Sequence, residues 1–195
     1  ILPNYYPIVD KNKYKCPDKL TKILNVGCFG AIRPLKNQLI QAIAAVEFAK
    51  NNKKKLNFHI NVGRVEGNAL GQIKNIRSLF DNLGEDFNLV EHAWVEHEDF
   101  CNLLEEMDIC MQVSFSETFN IVVADAVSRY VPVVVSSEIS WVNSECFADT
   151  TDVNNIVSTM QKVLDKKQQL IKANVKSLNK FSENSKLIWM KYFSK

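Results

Sequence analysis

Three short segments of this 195-residue chain gather side chains able to act on a polar ligand. The first runs from Gly30 to Asn37 and carries Arg33 and Lys36, two cations beside the start of a helical pattern. A glycine lets backbone approach a ligand closely, and a helix N-terminus adds partial positive charge, so a phosphate or diphosphate is the guest this chemistry suits. Each charged hydrogen bond to it would contribute about 1.5–3 kcal/mol. The segment is neither a Walker A loop nor a GxGxxG turn, and two cations also occur on ordinary surface loops. The second segment, Ser114 to Asn120, places Glu117 directly after an apolar run, with Thr118 and Asn120 as candidate caps and Asp125 eight residues further on. Glu117 there can accept hydrogen bonds from ligand hydroxyls; the bland alternative makes it a helix-stabilising acid and Asp125 a solvated position. The third segment, Glu91 to Glu98, sets His92 and His97 among three carboxylates. Their i, i+5 spacing is not a zinc pattern, so no metal is expected, and the backbone of Ala93 to Val95 with Trp94 beside it suits a flat base instead. His59 reads as a hydrogen-bonded core residue, and Ser114 and Ser116 lack a nucleophile elbow.

These segments fall between elements that alternate in period. Ile23–Phe29, Phe58–Gly63, Phe87–Ala93, Ile109–Ser114 and Val131–Ser136 read as short apolar strands. Between them, apolar residues recur at helical spacing: Leu39, Ile40, Ile43 and Val46; then Ile73 to Leu83, stopped by Gly84; then Phe100 to Met107; then Ile121 to Val127. Strands alternating with helices imply a parallel sheet whose crossovers cover both faces. In such a sheet the ligand lies outside the carboxyl ends of the strands, where all three segments fall. Val153 to Leu164 makes a clear amphipathic helix, Leu170 to Phe181 a weaker one, and Leu187 to Phe193 an aromatic-rich tail.

Composition bounds the reading from outside. The 24 basic and 22 acidic side chains are interleaved, with Lys53 to Lys55 the one run of three, so the basic stripe of a nucleic-acid binder is missing. The odd count of five cysteines, three of them inside apolar runs, fits reduced thiols and a cytoplasmic location. No stretch is long and apolar enough to span a bilayer. The chain opens on Ile1, which fits a piece of something longer.

Taken in order, the segments resemble the C-terminal, donor-binding half of GT-B glycosyltransferases, in particular the group 1 retaining enzymes with the Glu-x7-Glu motif. "NVGCFGAIRPLKNQ" is similar to that family's "VGR…KN" segment, "INVGR" to its second strand, and "EEMDICMQVSFSETFNIVVADAVSRYVPVVVS" to its acid-motif region. The resemblance implies an α/β, Rossmann-like doubly wound sheet with C-terminal helices, divided as a linker at 1–22, a donor-binding domain at 23–182 and a crossover helix at 183–195. It implies transfer of a sugar from a nucleotide diphosphate sugar to an acceptor hydroxyl with retention, without a cofactor or metal. Carried over, Glu117, Lys36 and Arg33 are the catalytic candidates. The donor would be held by Gly30, Asn37, Gly63, Arg64, Ala93, Trp94, Val95, Thr118, Phe119, Asn120, Ile121, Val122 and Asp125. An N-terminal half, in cis or as a partner subunit, would bring the acceptor, whether glycan, lipid or protein, and could place the protein at a membrane surface. Four positions depart from the family pattern: Asp125 is one methylene short of glutamate, Cys28 stands at an arginine position, and Asn120 and Tyr130 replace glycines. These departures leave open a degenerate module that binds nucleotide sugar, or pairs with an active subunit, without catalysis.

Overall fold

The computed structural model describes residues 2–10 and 22–194. Cys16, Ile1 and most of the 1–22 linker therefore lie outside the described residues. Among those described, five strands form one parallel sheet: β1 (Ile23–Cys28), β2 (Lys55–Asn61), β3 (Phe87–His92), β4 (Ile109–Gln112) and β5 (Val133–Val135), ordered β3-β2-β1-β4-β5. The register runs Ile23 to Lys55 through Cys28 to Ile60 between β1 and β2, and Val26 to Ile109 between β1 and β4. Apolar residues on both faces of a strand are what a doubly covered sheet demands, and β4 and β5 are buried throughout.

The helices between strands are α1 (Gln38–Asn51), α2 (Leu70–Asp81), α3 (His97–Glu105) and α4 (Ile121–Ser128); α5 (Val153–Asp165) and α6 (Lys167–Phe193) follow the sheet. α1 packs on α2 and α5, while α4 packs on α3 and α6. Right-handed crossovers account for this division, because the chain winds outward from β1 through β2 to β3 and then returns to add β4 and β5 on the other side. β1 and β4 thus meet where the winding reverses, the place where a ligand crevice opens in such sheets.

The alternation expected from sequence is the one observed, with ends shifted by a few residues. Two differences have physical causes. The strand expected at Val131–Ser136 narrows to Val133–Val135, because Tyr130 takes a positive φ of 61° and Pro132 offers no amide. The weak helix and aromatic tail expected after Leu170 form one 27-residue helix. No proline or glycine lies in that span, and its buried face, Leu170, Ile171, Asn174, Val175, Leu178, Asn179, Ser182 and Ser185, continues past the polar stretch that broke the apolar pattern.

Candidate functional site

The turn after β1 leaves the sheet at Gly30, whose φ of 106° is open to glycine and strained for other residues. Its amide donates to Asn61 Oδ1 at 3.0 Å, which ties this turn to the carboxyl end of β2. A one-turn 3-10 helix, Pro34–Lys36, then leads into α1 through Asn37, itself left-handed at φ 58°. Asn37 is buried and spends its amide on the carbonyls of Val113 and Thr150, at 3.1 and 2.8 Å. It therefore holds the loops together instead of facing the crevice. Gln38 and Gln41 at the start of α1 act alike: Gln38 donates to Ala31 O, and Gln41 donates to Lys36 O and accepts from Val113 N.

Lys36 and Glu117 meet. The ammonium pairs directly with Glu117 Oε1, and both side chains are largely sheltered, at 15% and 9% exposed. Lys36 Nζ also lies 3.4 Å from Gln112 Oε1. Gln112, at the end of β4, accepts from Asn120 Nδ2 at 3.1 Å and donates to Phe29 O at 2.7 Å, so the loops after β1 and β4 share one polar network. Asn120 has a φ of 56°, a region asparagine tolerates, and its side chain caps α4 by accepting from Val123 N at 3.1 Å. Thr118 is exposed, and Phe119 is buried against Trp141 and Phe181.

Arg33 goes elsewhere. Its guanidinium lies 2.6 Å from Glu66 Oε2, and Arg64 pairs with the same carboxylate. The bond from Arg33 holds the Glu66 carboxyl below its ordinary value. Cys28 points into the core, where burial pushes its thiol up to about 12.

A cavity of about 360 Å³ is lined by Gly30, Asn61, Trp94, Val95, Glu96, His97, Phe100, Ile121, Val122 and Asp125, and Lys36 and Glu117 are not among its lining residues. It is framed by the turn after β1, the end of β2, the connection from β3 into α3, and α4, with exposed Trp94 among its lining residues. Gly63 backs this edge: a Cβ there would lie 3.1 Å from Trp94 N. Asp125 is 2% exposed, and its Oδ1 accepts from Tyr6 Oη at 2.8 Å and lies 3.0 Å from His97 Nε2. Burial pushes the Tyr6 phenol up.

The sequence reading grouped His92 with His97, yet the fold separates them. His92 Nε2 lies 2.9 Å from His59 Nδ1 with the rings stacked, and burial lowers His59 to about 4. Asn61, Gln112, Tyr6 and Cys101 were not singled out from sequence. For Asn61 and Gln112 a signal existed, since each is a polar residue closing an otherwise apolar strand. For Cys101 the signal was its i, i+4 spacing from His97, and for Tyr6 there was none, because its partner Asp125 lies 119 positions away.

No protein-family model matches the chain, and no curated protein matches it. Solved structures do. The C-terminal domain of a group 1 family glycosyl transferase, LpcC from Francisella tularensis, aligns at 14% identity and a TM-score of 0.66, covering 83% of this chain and 85% of that one. TarM from S. aureus, solved with fondaparinux, α-GlcNAc-glycerol and UDP, aligns at 14% identity and a TM-score of 0.71 over 100% of this chain and 39% of that one. A UDP-forming α,α-trehalose-phosphate synthase from Burkholderia xenovorans aligns at 9% identity and a TM-score of 0.68, covering 88% and 43%. The fold is thus that of the C-terminal domains of GT-B glycosyltransferases, and the chain spans 39% and 43% of the two longer proteins.

Proposed function

We propose that this chain is the donor-binding half of a retaining glycosyltransferase, moving a sugar from a nucleotide diphosphate sugar to an acceptor hydroxyl. The observation that carries the reading is the sheltered Lys36–Glu117 pair where the loops after β1 and β4 meet, with Asp125 lining a cavity that also takes in Gly30 of the first of those loops. One cation and one acid that meet there match the two ends of such a donor. The diphosphate would draw Lys36, and the freed Glu117 would accept from sugar hydroxyls. The base would rest between Trp94 and Val95, and the ribose would face Asp125, whose Oδ2 has no hydrogen-bond partner among the described residues. Charge building on the departing diphosphate would be met by the ammonium and by backbone N–H groups already in place, the electrostatic form of catalysis.

A second reading has its own observation. Arg33 is held by Glu66 and Cys28 carries no charge, so Lys36 is the basic side chain left at the junction among the described residues. A module that binds nucleotide sugar without transferring it needs no more.

Thermal shift against UDP, GDP and ADP sugars tests binding, with a stabilisation of about 2.7 kcal/mol expected at a hundredfold excess over the dissociation constant. Hydrolysis of radiolabelled donor then separates the readings. Turnover that falls by about 10²–10³ in Glu117→Gln supports transfer, binding without turnover supports the module, and no shift with any of the nucleotides removes both.

A further inference from the structure

His97 and Asp125 line the cavity, and Cys101 is buried next to His97, three groups that the sugar-transfer reading does not use together. His97 and Cys101 stand at i and i+4 on α3, so both project from one helix face, and Asp125 reaches them from α4. Their ligand atoms all lie within 4.8 Å of one another. His97 Nε2 is 3.0 Å from Asp125 Oδ1 and 3.6 Å from Cys101 Sγ.

Two chemistries can bring a thiol, an imidazole and a carboxylate together. In a nucleophilic triad the histidine works in relay, with the acid on one ring nitrogen and the thiol on the other. Here both partners converge on the same nitrogen, Nε2, which leaves no relay. Convergence of three donors on one point is instead the geometry of a shared centre. With ordinary zinc bond lengths and tetrahedral angles, sulfur and nitrogen ligands sit about 3.5 Å apart, and nitrogen and oxygen ligands about 3.4 Å. The two separations from His97 need only a few tenths of an ångström of movement, and the Asp125 oxygen and Cys101 sulfur lie within 4.8 Å of each other.

We propose that His97, Cys101 and Asp125 bind a zinc ion at the wall of this cavity. A set of one sulfur, one nitrogen and one oxygen suits zinc and excludes magnesium and calcium, which take oxygen ligands. Three protein ligands leave the fourth position open, and the cavity supplies the space for water or for a donor atom of a bound ligand. An outer contact is in place as well: Tyr6 Oη donates to the Asp125 carboxylate at 2.8 Å and orients it. Glu98 and Glu105 pair with Arg129 from the same helix as the two ligands. The site goes beyond the sugar-transfer reading and is tested without any nucleotide sugar.

The test is metal analysis of the purified chain, stripped with chelator and reloaded with Zn²⁺ or Mg²⁺ alone. About one zinc per chain after desalting and no retained magnesium are expected, with retention lost in Cys101→Ser and His97→Ala. Tyr6→Phe should weaken zinc about 10- to 100-fold while the ligand set stays intact. Co²⁺ loaded into the unaltered chain should give intense tetrahedral bands and a thiolate-to-metal charge-transfer absorption, a readout that does not depend on any variant folding. Retention below about a tenth of an equivalent, a cobalt spectrum without the thiolate band, or full retention in a folded Cys101→Ser chain would each overturn the assignment.

Discussion

A single sheltered ion pair carries much of what the functional reading requires, and its two members are separable by substitution. Glu117→Gln keeps the size of the side chain and strands the Lys36 ammonium beside Gln112, so unfolding free energy should drop by about 3 kcal/mol in urea titration. The histidine pair gives a second measurement. His59 is lowered to about 4, by burial and then by the nearby His92 ring, while in the unfolded chain it returns to about 6.5. A lowered value means that the unfolded chain takes up the proton first as pH falls. The contribution is therefore complete above about pH 6.5 and is lost on acidification toward 4, by up to about 3 kcal/mol. His92 is lowered too, by burial, against an opposing pull from Glu106. His59→Gln should flatten the fall in urea midpoint across that window; an unchanged slope would mean that other groups carry it. Lys36 and Glu117 were legible as a pair of opposite charges at the ends of two strands, whereas the partner of Arg33 was not. Glu66 sits after β2, and nothing in spacing tells which of several loop cations it will take.

Elements explain why the departures from the glycine pattern are tolerated. Asn120 combines a positive φ with a side-chain cap on α4, so the two functions separate by substitution. Asn120→Ala should cost about 2 kcal/mol, a cap of about 1 plus left-handed strain of about 1, while Asn120→Gly should cost less than half as much. Thermal denaturation of both variants measures the difference, and equal losses would show that the cap alone matters. The alternation of strand and helix was readable because each strand is a short apolar run with an apolar helical face after it. α6 was split in the sequence reading because Lys180 to Lys186 is mostly polar, and the residues that keep it buried there, Ser182 and Ser185, are not apolar. Small polar side chains let helices approach closely, and periodicity of hydrophobic residues alone does not register them.

At the scale of the whole molecule, α6 ends in an uncovered apolar surface. Leu187, Ile188, Met190, Tyr192 and Phe193 are exposed, and Trp189 stacks on Phe193 while its Nε1 donates to Pro3 O at 2.9 Å. An apolar patch of this kind drives association in water. Sedimentation of the 195-residue chain should show concentration-dependent self-association, reduced in a Met190→Glu, Phe193→Glu double variant; identical profiles would mean that the patch is inert. The same helix reaches the acid loop. Phe181 stacks on Phe119 at 5.0 Å between ring centres, and Phe119 is fixed in turn by Trp141, whose Nε1 donates to its carbonyl at 2.7 Å. Twelve residues of helix, about 18 Å, separate Phe181 from Phe193. A body seated on the aromatic tip would therefore stand about 18 Å along a straight rod from the ring stack that lies two positions from Glu117.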